Sequence, residues 1–202
     1  KKKIEVTRET LRAHGASSQL FDGLADKSWF GRLNAFAAAR GLALEHYILS
    51  SGTQEMIQGS QIADQFRQIF ASRYIYNEMD EATWPGLAIN YTAKTQFLFR
   101  INKGIDNVWD NKAINAFMPE AERPIPFSRM IFIGDGDTDI PAMKMTTHYG
   151  GHSIAAYDPQ RDPRSLEKIH TLISDGRVNF IAPADYSENA PMDILLKGIL
   201  GR

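Results

Sequence analysis

The feature that most constrains the fold is a short apolar run that leads directly into an acidic loop. Residues 130–141 read Met-Ile-Phe-Ile-Gly-Asp-Gly-Asp-Thr-Asp-Ile-Pro, with three carboxylates at alternate positions after the apolar residues. A run of this length, bounded by glycine, is typical of a buried strand. In open α/β sheets the loop after such a strand lies at the carboxyl edge, where ligands bind. The segment therefore predicts a strand, a ligand-binding loop and a helix from Asp139 onward.

The rest of the chain alternates short strand candidates with helical patterns. Strands are predicted at residues 44–49, 68–72, 129–133, 153–156 and 179–182, and residues 73–91 are typical of a hairpin or flap. Helices are predicted at residues 4–14 and 28–40, and others begin near Thr53, Thr92, Asp139, Asp162 and Pro191. Gly15, Gly41 and Gly104 are expected to end helices. This order predicts an α/β fold, specifically a Rossmann-like, doubly wound, mostly parallel sheet.

Composition excludes several classes of function. Lys plus Arg (23) nearly balances Asp plus Glu (24), so the net charge of −1 gives no reason to expect nucleic acid or an anionic membrane as partner. No apolar run approaches the roughly 18 residues of a membrane span. Cysteine is absent, which excludes disulfides and thiolate catalysis and fits a cytoplasmic location.

The acidic loop has three competing interpretations that can be tested by the spacing of its residues. A calcium loop of the EF-hand type that begins at Asp135 would need glycine at its sixth position and glutamate at its twelfth, and these hold Ile140 and Thr146. A phosphatase nucleophile loop, Asp-x-Asp-x-Thr/Val, fails because Asp139 occupies its fifth place. A solvated acidic turn stays open, although the apolar run before it and the helical pattern after it disfavour this interpretation.

Residues 134–139 also resemble the fourth motif of haloacid dehalogenase-type phosphatases, Gly-Asp-Gly-x-x-Asp. The resemblance implies that Asp135 ligates Mg²⁺. It implies that Asp139 either ligates the metal or its waters, or orients a neighbouring lysine. Asp137 fills a variable place in the motif, so we expect it to be solvated.

Two further segments match this family's order of motifs. Residues 46–52 read His-Tyr-Ile-Leu-Ser-Ser-Gly and resemble the strand that ends in a phosphate-binding hydroxyl. The resemblance implies that Ser50 donates this hydroxyl and that the amides of Ser51 and Gly52, at a helix N-terminus, bind phosphate. The hydroxyl role falls on Ser51 if the strand boundary differs by one residue. Lys94 matches the family's lysine near the start of a helix, and Lys103 and Lys112 are weaker candidates for that role.

The resemblance implies a Mg²⁺-dependent hydrolase that cleaves a small phosphorylated substrate through an aspartyl-phosphate. It also implies a helical cap, with residues 1–20 as its remnant and residues 21–202 as the α/β core. The printed residues contain no Asp-x-Asp-x-Thr/Val, and they open on Lys1 rather than methionine. We therefore expect an N-terminal segment of the same protein to supply the nucleophile, the central strand and most of the cap.

Two alternatives to a phosphatase stay open on the same scaffold. One is a non-catalytic relative that binds phosphate or a metabolite. The other is a phosphotransferase or a dehalogenase. The substrate itself depends largely on the cap, and the sequence does not name it.

Overall fold

The computed structural model describes residues 6–135, 137–158, 160 and 165–202, with only the backbone for residues 165–168. The predicted helix start at Asp162-Pro163 and Gly136 of the acidic loop lie outside these residues. In chain order the helices and strands are α1 (Arg8–Ala16), α2 (Ser28–Ala38), β1 (Tyr47–Thr53), α3 (Gln54–Gly59), β2 (Gln68–Tyr76), β3 (Ala82–Leu87), α4 (Tyr91–Lys103), α5 (Asn111–Asn115), β4 (Ile131–Gly134), α6 (Ile140–His148), β5 (His152–Tyr157), α7 (Ser165–Ser174), β6 (Phe180–Pro183) and α8 (Pro191–Leu200).

The chain divides into two compact units. The first unit comprises Lys1–Ile89 and Asp185–Arg202, and the second comprises Asn90–Ala184. The boundary predicted at residue 20 separates a remnant of a cap from an α/β core. It is a different kind of division, and it stays a prediction.

The first unit contains a three-stranded sheet of order β1-β2-β3. β1 and β2 are parallel, and β2 and β3 form the predicted antiparallel hairpin. The periodicity of α2 predicts one apolar face, of which Phe36 is half-buried and four residues are buried: Trp29, Phe30, Leu33 and Ala37. The ring of Phe30 lies edge-on to Phe66, with their centroids 5.5 Å apart.

The second unit contains a fully parallel sheet of order β4-β5-β6. A buried cluster forms its core from strand, helix and loop: Met143, Ala155, Ile169 and Val178. Apolar side chains of all three strands pack against this cluster, so the sheet has the buried character that parallel strands require.

The predicted fold class is confirmed at the level of a mixed, mostly parallel α/β protein with a hairpin. The described residues form two sheets of three strands, however, and they do not form one clear doubly wound sheet. Among these residues β1 and β4 are edge strands of different sheets, so they do not pair with each other.

The predicted boundaries of α1 and β1 are wrong, and so is the expectation that Thr92 caps α4. The first helix begins at Arg8 with Thr7 as its cap and continues through Gly15, which is buried rather than a stop. β1 ends at Thr53 and not near Leu49, because pairing with β2 holds the chain extended further. The cap of α4 is Asn90 rather than Thr92, since the Asn90 side chain accepts hydrogen bonds from the amides of Thr92 and Ala93.

None of the helices in the described part of the chain is long and apolar enough to cross a membrane.

Candidate functional site

The acidic loop follows β4 directly, as predicted from the sequence. Gly134 ends the strand, residues Asp137–Asp139 form a short 3₁₀ turn, and α6 begins at Ile140 with proline in its first turn. Asp135 and Asp137 are exposed, whereas Asp139 is only 5 % exposed. The carboxylates at alternate positions therefore separate into two that face solvent and one that faces the protein.

Asp139 folds back onto the end of β4. Its Oδ2 accepts a hydrogen bond of 3.3 Å from the amide of Asp135. A Cβ atom at position 134 would lie 2.7 Å from Oδ2 and Cγ of Asp139, so only glycine allows this close approach. The first glycine of the motif thus has a packing function that the sequence pattern alone does not specify.

Lys94 completes the buried side of the site. The Asn90 cap starts α4 so that Lys94 lies one turn into the helix, where it is 5 % exposed. Its Nζ lies 2.5 Å from Oδ1 of Asp139 and 3.4 Å from Oγ1 of Thr138. The structure therefore brings together two of the predicted site residues, which are 45 positions apart in sequence.

This ion pair is buried on both sides, which makes the loss of either partner costly. The Lys94 and Asp139 side chains are 6 % and 8 % exposed. Removing one partner of a buried ion pair takes away the opposite charge in a poorly solvated place, and such a loss typically costs about 3–5 kcal/mol. Of the two roles expected for Asp139, this geometry corresponds to the one in which it orients the lysine.

Asp135 differs from Asp139 in that its carboxylate makes no hydrogen bond to another described residue, and it is exposed beside the pair. The described residues contain no group of three acidic or histidine side chains that could hold a metal ion. Mg²⁺ in phosphate-handling sites is often held by one or two carboxylates together with substrate phosphate and water. The carboxylate oxygens of Asp135 are ligands of the type that Mg²⁺ prefers.

Lys103 and Lys112, the weaker candidates for the site lysine, have surroundings that differ from those of Lys94. Nζ of Lys103 donates hydrogen bonds to the carbonyls of Ile114 and Ala116, both at 2.7 Å, so it closes the end of α5. Lys112 is exposed on α5. The choice of Lys94 over both as the site lysine stays a prediction.

The predicted phosphate-binding serine lies in the first unit, at an irregularity of β1. Between Ser50 and Thr53 the pairing with β2 shifts, so Ser51 and Gly52 bulge out and are exposed. The amide of Gly52 donates to Oγ of Ser50 at 3.0 Å. The expected placement of the Ser51 and Gly52 amides at a helix N-terminus is wrong, because α3 begins only at Gln54 and has six residues.

Two residues near Lys94 were not predicted from the sequence. Thr138 occupies a variable motif position, and only the fold shows its hydroxyl near Lys94. Asn90 precedes the helix that carries Lys94, and an asparagine before a helical pattern is a recognised capping signal that could have identified it.

No family model matches the chain. The chain is similar to an uncharacterized protein of Borreliella burgdorferi, with 28% identity over 163 residues that cover 72% of this chain and 54% of that protein. The chain thus spans about half the length of this curated relative.

Proposed function

We propose that the protein is a Mg²⁺-dependent phosphomonoester hydrolase of the haloacid dehalogenase superfamily, acting on a small phosphorylated metabolite. The observation that carries the proposal is the buried Lys94–Asp139 pair at the carboxyl end of β4, with the exposed Asp135 carboxylate next to it. A fixed ammonium group beside a solvent-facing carboxylate suits a site that must hold both a phosphate and a divalent cation.

Lys94 supplies positive charge where a phosphate and several carboxylates would otherwise repel one another. Asp139 fixes the position of the ammonium group through a hydrogen bond of 2.5 Å, which limits the reorganisation needed when substrate binds. Ser50 is proposed to donate its hydroxyl proton to a phosphate oxygen. The support for this role is the order of the motifs along the chain.

Asp135 is the residue proposed to hold Mg²⁺, and Asp139 is proposed either to ligate the ion or its waters or to orient Lys94. When bound, the ion would neutralise charge on the phosphate oxygens and help orient the phosphoryl group.

The reaction implied for this superfamily has two steps. A nucleophilic aspartate attacks phosphorus and the ester oxygen leaves as an alcohol after taking up a proton. Water then cleaves the acyl phosphate, which regenerates the carboxylate and releases inorganic phosphate. No printed residue is assigned as the nucleophile or as the general acid and base.

For the fold, we propose a Rossmann-like, doubly wound core in which the edges of β1 and β4 are completed by a central strand. An N-terminal segment of the same protein is the proposed source of this strand. We also propose a cytoplasmic location, on the cysteine-free composition alone.

The proposal is tested with the full-length protein and a panel of small phosphomonoesters, including p-nitrophenyl phosphate. We expect release of inorganic phosphate that requires added Mg²⁺ and stops with excess EDTA. Binding of phosphate esters without turnover would instead favour the non-catalytic relative. Transfer of the phosphoryl group to an added alcohol in place of water would favour a phosphotransferase.

A further inference from the structure

We propose that Ser72 is a positioning residue for the turn formed by Ser50, Ser51 and Gly52, here called the Ser50 turn. Ser72 lies on β2 next to this turn, and no sequence motif singles it out. The inference rests on the proposed function, because it concerns how the Ser50 turn presents a hydroxyl group to phosphate.

The hydrogen bonds around Ser72 have a fixed direction. The amide of Ile89 can only donate, so Oγ of Ser72 accepts from it at 2.9 Å. The Ser51 carbonyl can only accept, so the Ser72 hydroxyl donates its single proton to it at 3.1 Å. Ser72 therefore connects the exposed bulge of β1 to the buried Ile89, which is 3 % exposed.

This contact fixes one peptide group of the turn at both ends. The carbonyl of Ser51 and the amide of Gly52 belong to the same peptide plane. Ser72 holds the carbonyl, and the amide donates to Oγ of Ser50 at 3.0 Å. If the Ser72 hydroxyl were removed, this plane could rotate and the Gly52 amide would leave Ser50.

The orientation of the Ser50 proton follows from the same geometry. Because the Gly52 amide uses the oxygen of Ser50 as an acceptor, the Ser50 hydroxyl can direct its own proton outward as a donor. Within the described part of the chain, this hydroxyl has no other hydrogen-bond partner. A side chain at position 52 would crowd it, since a Cβ there would lie 3.2 Å from Oγ of Ser50. Ser72 thus maintains Ser50 as an outward donor, which is what binding of a phosphate oxygen requires.

The test compares Ser72→Thr with Ser72→Val in the full-length protein. These variants have nearly the same shape and differ in the hydroxyl group, and Ser72→Ala provides a smaller hydroxyl-free variant. We expect Ser72→Val and Ser72→Ala to lower kcat for p-nitrophenyl phosphate about tenfold, close to one hydrogen bond's contribution. The inhibition constant of inorganic phosphate should rise by a similar factor, and Ser72→Thr should retain kcat within about twofold.

Ser60→Ala is the matched control. It removes another hydroxyl of the first unit that donates to a carbonyl, that of Ile57 at 2.7 Å, away from the Ser50 turn. It should leave kcat and phosphate inhibition unchanged.

Equal kcat for Ser72→Thr and Ser72→Val would overturn the inference. So would a loss of thermal stability in Ser72→Val with unchanged kcat per folded molecule. Either result with an active wild type leaves the proposed function intact. A wild type without Mg²⁺-dependent turnover would instead overturn the proposed function and, with it, this inference.

Discussion

At the scale of single residues, the main finding is that one carboxylate of the acidic loop is buried and paired while its neighbours face solvent. The sequence pattern predicts the loop, but it does not distinguish the environments of Asp135, Asp137 and Asp139. Asp139 can be buried because Gly134 has no side chain in its way. Lys94, on a helix that is distant in sequence, provides the opposite charge. Such a pair forms only when the chain folds. Local sequence patterns can therefore suggest which residues take part, but they do not predict that the two residues meet.

Replacing Lys94 by alanine is expected to lower turnover of the full-length protein at least about 100-fold, as for loss of one preorganised charge donor. Lys112→Ala is the matched control, because Lys112 is exposed and Lys103 is engaged with carbonyls of α5. Turnover is measured per folded molecule, since the variant also removes the buried lysine partner of Asp139. Similar activities of the two variants would show that the lysine has been assigned wrongly.

His46 is expected to make stability depend on pH. Its ring packs edge-on against Phe30 with centroids 5.1 Å apart, and burial lowers the pKa of His46 below its ordinary value of 6.5. Below about pH 6.5 the unfolded chain therefore binds this proton more readily than the folded chain. The contribution of His46 to the free energy of unfolding is complete above that pH and decreases as the pH falls.

Urea denaturation at about pH 7.5 and about pH 5.5 measures this effect. The wild type should lose more stability between the two conditions than His46→Gln does. An identical loss in both proteins would contradict the assigned role of His46.

At the scale of elements, the existence of helices and strands was more predictable than their ends. Apolar periodicity correctly indicated α2, β2, β4, β5, β6 and α8. The ends depend on partners that are distant in sequence: β1 continues beyond Leu49 because β2 pairs with it. Asn90 and Thr92 are both good capping residues, and only the structure shows that the Asn90 side chain accepts hydrogen bonds from the first amides of α4.

Gly15 shows why the end of α1 was predicted wrongly. Glycine is common after helices, but here it lets two helix backbones touch. A Cβ at position 15 would lie 1.8 Å from the carbonyl oxygen of Met56, and one at Gly59 would lie 2.1 Å from that of Arg12. The two glycines therefore allow α1 and α3 to pack at backbone distance.

Gly15→Ala is consequently expected to lower the free energy of unfolding by about 3 kcal/mol, because the helices must separate. Gly31→Ala on α2 is the control, since nothing lies within 4 Å of a Cβ there. It should raise stability by about 0.5–1 kcal/mol through the higher helix propensity of alanine. Equal effects of the two substitutions in urea denaturation would exclude the close contact.

At the scale of the whole molecule, the sequence correctly predicted a mostly parallel α/β protein, but the single doubly wound sheet stays a proposal. The described residues form two sheets, in which β1 and β4 are edge strands. Exposed edges of parallel strands are uncommon because their unpaired amides favour further pairing.

Hydrogen–deuterium exchange on the full-length protein tests whether a further strand pairs there. We expect the amides of β1 and β4 that face the open edges to exchange as slowly as those of β2 and β5, which lie inside their sheets. Rapid exchange confined to the two edges would contradict the proposed central strand.

The most direct test of the central claim is the Mg²⁺-dependent turnover of p-nitrophenyl phosphate by full-length Asp135→Asn and Asp137→Asn. Both residues are exposed in the same loop, so the two substitutions remove the same charge from nearly the same place. The proposed metal site predicts that Asp135→Asn abolishes the activity while the protein stays folded, and that Asp137→Asn retains it. Wild-type turnover in Asp135→Asn would contradict the claim.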